Sequence, residues 1–278
     1  MSCKTPAEIA ECAVNAAVNK SRLPLSVMSV MGFLAGAYIA MGGYFMTIVT
    51  QDASAFVGVG LSKLAGGIVF ALGLLLVVGA GGELFTGNCL MPIGVLSNRC
   101  SWSGLLRNWV VVYLTNMAGG LFFALLIYKS GGISDKAAET ALNIAAAKVS
   151  IPIAQMIVRG ILCNWFVGLA VWLAFGATDM AGKYIACLVP ISAFVAMGFE
   201  HCIANMYFIG LGIMLKGDTA LIERLAYPAD KLAGINLCGY LNNLIPVTLG
   251  NILGAALLVA CLYFVAFRKS LTDGAKIS

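Results

Sequence analysis

The sequence has little charge and only one histidine. Asp, Glu, Lys and Arg make up 10% of the residues, apolar types make up 61%, and the mean hydropathy is +0.95. A soluble globular domain has about 25% charged and about 45–50% apolar residues. The sequence therefore predicts an integral membrane protein embedded in a lipid bilayer. Its formal net charge of +5 is too small to indicate a nucleic-acid partner.

Paired cysteines and metal-ligand spacings are also missing. The nine cysteines are scattered, and no CxxC or Cys/His spacing occurs. Several lie in apolar segments, where a thiol behaves as a small buried hydrophobe. A single histidine cannot supply paired haem ligands, and no nucleophile–base set is present. These absences predict no metal and no cofactor, and they disfavour a membrane enzyme or a cofactor-binding subunit.

The N-terminal segment lacks the apolar core of a secretory signal. Thr5-Pro6-Ala7-Glu8 is instead a capping box with proline at the first helical position. Apolar residues then recur at helical spacing from Ala10 to Val18. We expect residues 1–22 to form an amphipathic helix in the membrane interface. A helix packed on the rest of the protein fits the same pattern.

Six apolar segments are long enough to cross a bilayer, for which about 20 residues suffice. They are Leu25–Val49, Ala65–Leu96, Leu105–Tyr128, Ile151–Ala177, Tyr184–Leu215 and Leu244–Phe267. The second and fifth are too long for one plain span, and polar residues interrupt them at 79–88 and 198–205. Broken backbone at this depth is tolerated only where protein or a wet cavity satisfies it.

The two three-span halves repeat one another. Both breaks read Gly-x-Glu-x-x-x-x-Asn, at 81–88 and 198–205. Asn116 in the third span and Asn251 in the sixth are followed by glycine and then tyrosine at the same offsets. Because three is odd, the second half enters from the opposite face. The sequence therefore predicts an all-α fold with a three-plus-three inverted repeat, in which the broken second and fifth helices mark a substrate path.

An even number of spans places both termini on one side of the membrane. Lys and Arg are slightly more frequent on that side, which predicts cytoplasmic termini in the cell (cytoplasmic or inner) membrane. Residues 23–268 are the expected six-span domain, and 269–278 a short polar tail. The connections at 134–147 and 218–227 are each expected to hold a short amphipathic helix.

The polar residues of the breaks have a structural interpretation. Asn88 and Asn205 are expected to cap the half-helices that restart after each break. Glu83 and Glu200 are expected to accept hydrogen bonds from loop amides. In this interpretation the four residues hold the loops in shape.

Thr86 and His201 are candidate hydrogen-bond donors to a substrate, because neither is expected to cap a helix. The restarting helices add partial positive charge at their N-termini. Together these groups suit a small anion or a polar neutral solute. The alternative for His201 is a core histidine bonded to Glu200 or to a carbonyl. Arg159 or Lys148 is expected to pair with Glu83, although a solvated outer lysine is an equal alternative for Lys148.

Further motifs complete a pattern across nearly the whole chain. They are Gly82–Asn88, Asn108-Trp109 with Tyr113 and Asn116, Asn164, Gly198–Met206, Asn242–Val247 and Gly250-Asn251. This set resembles the formate/nitrite transporter family. The resemblance implies an aquaporin-like protomer, a homopentamer with one pore per subunit, and passage of small monovalent anions.

The resemblance also implies roles for individual residues. A gating loop would be Leu84, Phe85 and Thr86. Narrow apolar points would be Phe70, Leu74 and Phe194. A central pore histidine would be His201, with Asn164 as a pore-lining amide. The polar set that orders the loops and attracts anions would be Glu83, Lys148, Glu200, Asn88 and Asn205. Arg159 has no counterpart in the family pattern.

The expected function is a channel or transporter for formate, with nitrite or hydrosulfide as alternatives. Dehydrating a carboxylate-sized ion costs of order 20 kcal/mol, so crossing as the neutral acid avoids most of the cost. We hypothesise that the anion accepts hydrogen bonds from Thr86 and His201 and takes a proton in the pore. A water or polyol channel is a remoter alternative, since Asn-Pro-Ala is absent from the sequence.

Overall fold

A computed structural model describes residues 3–273, and these residues are built from helices and their connections. The helices are α1 (Pro6–Arg22), α2 (Leu25–Thr50), α3 (Ala53–Gly81), α4 (Phe85–Leu96), α5 (Trp102–Lys129), α6 (Asp135–Val149), α7 (Ile153–Gly176), α8 (Met180–Ala196), α9 (Cys202–Lys216), α10 (Thr219–Leu225), α11 (Ala229–Leu232) and α12 (Leu237–Leu271). Residues 269–273 of the predicted polar tail are helical, and the rest of the tail, from 274 onward, lies outside the described residues.

Long apolar helices dominate the described part of the chain. Five of its helices, namely α2, α3, α5, α7 and α12, are long and apolar enough to cross a membrane. The helices α8 and α9 have 17 and 15 residues and follow one another across a short break. The protein is therefore a multi-pass membrane protein.

Two predicted boundaries were wrong. Helix α3 begins at Ala53 instead of Ala65, with a kink at Gly58, where φ is +79°. The helix continues through polar Lys63, which shortened the apolar run in the sequence. Helix α12 begins at Leu237 instead of Leu244. The polar Asn243 lies inside this helix, where it is fully buried and hydrogen-bonded within the protein.

Glycine sets the position of both breaks. Helix α3 ends in a π-helical turn at Val77–Gly81, and Gly81 has φ +93°. Gly198, just after α8, has φ +73°. This left-handed region favours glycine, because other residues carry a Cβ that clashes there. The first glycine of each Gly-x-Glu motif is therefore the residue that turns the chain out of its helix.

Helix α1 forms the predicted capping box and packs on the protein. The Thr5 hydroxyl accepts from the Glu8 N–H, and the Glu8 carboxylate accepts from the Thr5 N–H at 2.7 Å. Arg99 donates to Glu11 and to Asn15, and these bonds tie the polar face of α1 to the segment after α4. The buried apolar residues are Ile9, Ala10, Ala13, Val14 and Ala17. The interfacial position of α1 stays a prediction.

Glycines allow two helix pairs to approach closely. A Cβ on Gly36 of α2 would lie 2.6 Å from the carbonyl carbon of Asn116 in α5. A Cβ on Gly250 of α12 would lie 3.0 Å from Cα of Gly160 in α7. Lipid gives no hydrophobic drive between helices, so small residues make such contacts possible. The close approach brings Asn116 and Asn251 against the two breaks.

The two connecting helices expected from the sequence are present. Helix α6 is capped by Ser134 and α10 by Asp218. Arg224 of α10 donates to Asp135 of α6 at 2.9 Å, and this hydrogen bond lowers the pKa of the exposed Asp135 carboxyl. Helix α6 ends next to the second break, which is how Lys148 reaches it.

Candidate functional site

The first break is built around the buried carboxylate of Glu83. Lys20 of α1 donates to Glu83 Oε1 at 2.5 Å. Asn88 Nδ2 donates to Glu83 Oε2 and to Asn108 Oδ1, both at 2.7 Å. Asn108 Nδ2 also lies 3.3 Å from Glu83 Oε2. The carboxylate is 4% exposed, and one lysine and two amides satisfy it.

The second break has the same arrangement of partners. Lys148 Nζ lies 3.0 and 3.1 Å from the two oxygens of Glu200, which is 5% exposed. Asn205 Nδ2 donates to Glu200 Oε2 at 2.7 Å and to Asn243 Oδ1 at 2.8 Å. Asn243 Nδ2 donates to the Lys148 carbonyl at 2.9 Å. Each break therefore contains a Lys–Glu–Asn–Asn cluster.

The predicted partner of Glu83 was wrong. Lys148 pairs with Glu200, and Arg159 donates to Gln155 at 3.1 Å. Glu83 binds Lys20 because α1 packs across the first break. No motif in the apolar segments indicated this contact, since Lys20 lies outside them.

The predicted capping roles of Asn88 and Asn205 were also wrong. Both lie one turn inside the restarting helices, so their side chains reach back to the glutamates. The glutamates in turn accept hydrogen bonds from side-chain amides and lysines instead of loop N–H groups.

Asn116 of α5 satisfies the backbone of the first break. Its Oδ1 accepts from the Phe85 N–H at 2.9 Å, at the start of α4. Its Nδ2 donates to the carbonyls of Gly32 and Glu83 at 2.7 and 2.8 Å. One buried side chain therefore caps the restarting helix and fixes the loop before it.

Asn251 of α12 does the same for the second break. Its Oδ1 accepts from the Cys202 N–H at 2.8 Å, and its Nδ2 donates to the carbonyls of Gly160 and Glu200 at 2.8 and 2.9 Å. The sequence matched Asn116 with Asn251 as a repeat but assigned neither a role in the breaks. The available signal was a buried amide at the same place in both halves.

Thr86 and His201 meet between the two breaks and form what we call the waist. Thr86 Oγ1 lies 2.9 Å from His201 Nε2, and the residues are 0% and 3% exposed. The N–H of Ala204 donates to His201 Nδ1 at 3.1 Å. A backbone N–H can only donate, so Nδ1 accepts and a neutral ring carries its hydrogen on Nε2. Nε2 then donates to Thr86, whose hydroxyl hydrogen is free for another acceptor.

His201 differs from its predicted environment in one respect. It is the N-cap of α9, although the sequence suggested that neither waist residue caps a helix. Its ring is bonded to Thr86 and to the Ala204 N–H, and not to Glu200 or to a carbonyl as in the alternative prediction. The cap fixes the direction of the imidazole, because it uses the nitrogen that faces the helix.

Asn164 of α7 lies beside the waist. Its Nδ2 donates to the carbonyls of Thr86 and Asn251 at 3.1 and 2.7 Å, so it joins the two breaks. Its Oδ1 is buried and has no hydrogen-bond partner among the residues that the structure describes. An acceptor is therefore available next to the Thr86–His201 pair.

A cavity of about 490 Å³ lies on the side of α1, and we call it the terminal-side cavity. Leu74, Leu84 and Gly87 line it next to the waist. Three lysines also line it: Lys4, Lys20 and Lys183. Lys20 is paired with Glu83, so Lys4 and Lys183 give this cavity a net positive charge.

A second cavity of about 410 Å³ reaches the waist from the other direction, and we call it the distal cavity. His201 itself lines it, with Phe70 and Phe194. The ring centroids of Phe194 and His201 are 6.1 Å apart and nearly parallel, and Phe70 meets Phe194 edge-on at 6.1 Å. The charged lining residues are Lys63, Lys148, Arg159 and Glu200. The waist and these apolar side chains separate the two cavities.

Phe85 of the predicted gating loop packs among aromatic side chains. Its ring packs edge-on against Tyr113 at 4.9 Å and Trp109 at 6.1 Å. It lines neither of the two cavities within the described part of the chain. Leu84 of the same loop lines the terminal-side cavity, and Thr86 bonds to His201, which lines the distal cavity.

Comparisons with known proteins agree with this geometry. Residues 7–265 match the family model described as formate/nitrite transporter. A probable formate transporter of Methanothermobacter thermautotrophicus is 44% identical over 96% of this chain and 98% of its own. The formate channel FocA of Escherichia coli (strain K12) is 35% identical over 95% of this chain and 94% of its own. A solved pentameric formate channel with formate bound has a TM-score of 0.79 at 32% identity, covering 88% of this chain and 98% of that one. The chain therefore belongs to the formate/nitrite transporter family.

Proposed function

We propose that this protein is a transmembrane channel for small monovalent anions of weak acids, with formate as its main substrate. The observation that carries the proposal is the Thr86–His201 donor pair between two cavities lined by cations. Relatives and a solved structure named as formate channels support formate. Nitrite and hydrosulfide are the alternatives, being small anions of weak acids too. The family is one of transporters, not of enzymes.

The charges of the cavities favour anions at both ends of the path. Lys4, Lys20 and Lys183 line the terminal-side cavity, and the lysine partner of Glu83 is among them. In the distal cavity Glu200 is neutralised by Lys148, which leaves Lys63 and Arg159 as net positive charge. Such fields raise the local anion concentration and are screened over about 10 Å at 0.1 M salt. A neutral solute such as water gains nothing from them, which disfavours the water-channel alternative.

At the waist the anion would accept a hydrogen bond from the Thr86 hydroxyl, which the neutral His201 holds in place through Nε2. Because Nε2 of His201 donates to the Thr86 oxygen, the Thr86 hydroxyl hydrogen remains available, and no acceptor is bonded to it within residues 3–273. Leu74 and Leu84 on one side and Phe70 and Phe194 on the other exclude water from this point. The anion therefore loses hydration here, and a protonated acid crosses the apolar residues at lower cost.

Proton coupling at His201 is part of this proposal only under one condition. A protonated imidazole carries hydrogen on both nitrogens, and Nδ1 then faces the N–H of Ala204, another donor. His201 is therefore held neutral while it caps α9. A proton passes through its ring only in a state where that bond has opened.

The fold that we propose for the membrane is a six-span inverted repeat with broken second and fifth spans. The matched Lys–Glu–Asn–Asn clusters and the matched Asn116 and Asn251 braces support it. Residues 23–268 would form this domain, with both termini cytoplasmic and α1 at the cytoplasmic interface. We further propose a homopentamer in the cell membrane, because a similar solved channel is described as pentameric.

The test is formate flux into proteoliposomes for the wild type and Thr86→Val. Valine keeps the shape and removes the free hydroxyl, so flux should fall about tenfold, as for a charge-assisted hydrogen bond of about 1.5–3 kcal/mol. Thr47→Val is the matched control. Thr47 is also buried, but its hydroxyl bonds to the carbonyl of Gly43 within α2, away from both cavities.

The same assay separates the alternatives. Nitrite and hydrosulfide in place of formate rank the substrates, and stopped-flow water permeability tests the water channel. Water flux without anion flux in the wild type contradicts the proposal. Equal formate flux in Thr86→Val and Thr47→Val would show that the Thr86 hydroxyl has no role in transport.

A further inference from the structure

Arg159 is the charged residue of the membrane segments that the family pattern does not explain. It lies two turns into α7 and lines the distal cavity together with Lys63 and Lys148. Its backbone carbonyl accepts from the Glu200 N–H at 3.3 Å, so the residue is held against the second break. Its side chain is half-buried and lines the same cavity as His201 of the waist.

The guanidinium of Arg159 keeps most of its donors free. Its side-chain hydrogen bond runs from Nη2 to the neutral Gln155 amide oxygen at 3.1 Å. No carboxylate within residues 3–273 lies at ion-pair distance from it, whereas the neighbouring Lys148 is bound to Glu200. A guanidinium has five N–H donors in a rigid fork. A positive, planar group with unused donors therefore faces an anion path.

Arginine and lysine recognise anions differently. The arginine fork matches two oxygens on one atom and makes two parallel hydrogen bonds, while a lysine acts as a point charge. The described lining of the terminal-side cavity contains lysine but no arginine. The distal cavity is therefore the end of the path at which the shape of the anion can be read.

We propose that Arg159 forms an anion-binding site in the distal cavity that selects anions with two oxygens on one atom, the carboxylates and nitrite, over hydrosulfide. This proposal rests on the proposed function, since it names the substrate class that reaches the waist. The anion is held by the fork of Arg159 and then passes to the Thr86 hydroxyl, which His201 holds in place. Lys63 adds charge at the same cavity without adding a fork.

The experiment compares Arg159→Lys and Arg159→Gln with the wild type in proteoliposomes. The apparent KM and the maximal flux are measured for formate, nitrite and hydrosulfide, with empty liposomes subtracted. Arg224→Gln is the matched control, because it removes an arginine that is paired with Asp135 and lines neither cavity. The Glu200 contact of residue 159 is made by its backbone, so both variants retain it.

The expected result separates charge from shape. Arg159→Gln should raise the KM for formate and nitrite about threefold to tenfold, the range for a partly exposed charged hydrogen bond, with maximal flux changed less. Arg159→Lys should keep the raised formate KM but leave the hydrosulfide KM near the wild-type value. Arg224→Gln should change neither. If Arg159→Gln does not reconstitute, the formate and hydrosulfide KM values of Arg159→Lys test the site.

Two outcomes overturn this site. If the formate KM of Arg159→Lys equals the wild-type value, the positive charge alone is sufficient for binding. If neither variant changes the KM of any anion, no anion binds at residue 159. Absence of any anion flux in the wild type is a different result. It removes the proposed function itself, and the two failures are therefore distinguishable.

Discussion

Replacing Lys148 with methionine removes the cation that neutralises Glu200 and leaves the carboxylate buried. Glu200 is 5% exposed, and without Lys148 it keeps only the Asn205 amide as a side-chain donor. Breaking a buried pair in this way costs about 3–5 kcal/mol. The Lys148 side chain is 14% exposed, so water relieves part of the cost and we expect about 3 kcal/mol, the lower end of that range.

The assay is thermal unfolding of the purified protein in detergent. At about 2–4 °C per kcal/mol for a chain of this size, the melting temperature should fall by roughly 6 °C or more. Lys136→Met is the control, because its pair with Glu139 is 57% and 42% exposed and is worth about 0–1 kcal/mol. The melting temperature of Lys20→Met should lie between those of Lys148→Met and Lys136→Met, since the Lys20 side chain is 25% exposed.

A double variant tests the reason for the loss. Lys148→Met with Glu200→Gln removes both charges and keeps an acceptor for Asn205, so most of the lost stability should return. If Lys148→Met melts no lower than Lys136→Met, Glu200 is not held by a buried ion pair. If the double variant is as unstable as Lys148→Met, the loss comes from packing of the lysine stem instead of an uncompensated charge.

Two further predictions concern the backbone and a surface pair. Gly198→Ala should destabilise the protein by about 1–2 kcal/mol, because φ at this position is +73°. Thermal unfolding measures the loss. Gly60→Ala is the control, because a Cβ there also has open space around it but φ is not positive. Arg224 lowers the pKa of Asp135, so this pair stabilises the protein above the unfolded-state pKa of about 3.9 and the effect fades as pH falls through the lower folded value. Asp135→Asn should therefore melt below the wild type at neutral pH, with a difference that shrinks as the pH is lowered below about 3.9, and a constant difference would show that the charge is not involved.

The large-scale organisation was predictable because the bilayer restricts what a sequence can do. Long apolar segments indicated the spanning helices, and the two Gly-x-Glu-x-x-x-x-Asn motifs marked where helices stop. The structure explains these motifs: glycine takes the positive φ, and asparagine reaches back to glutamate. The meeting of Thr86 and His201 was also anticipated, because both lie inside the breaks.

The contacts within the site were less predictable, because they depend on which helices pack together. The first N–H of α4 is bonded by Asn116, and in α9 Asn251 bonds the first N–H beside the local cap from His201; both asparagines are on helices distant in sequence. Local rules favour a nearby asparagine as the cap, and here that rule was wrong. The Lys20–Glu83 pair depends on how α1 crosses the protein, which no local pattern records.

The most direct measurement of the central claim is formate flux as a function of pH for the wild type and His201→Phe. Phenylalanine keeps a ring beside Phe194 but cannot donate to Thr86 or accept from the Ala204 N–H. We predict that flux falls about tenfold or more at every pH between about 5 and 8, because the Thr86 hydroxyl loses the His201 hydrogen bond that directs its free hydrogen to the anion. Flux in His201→Phe that equals the wild type, with the same pH dependence, would contradict the account.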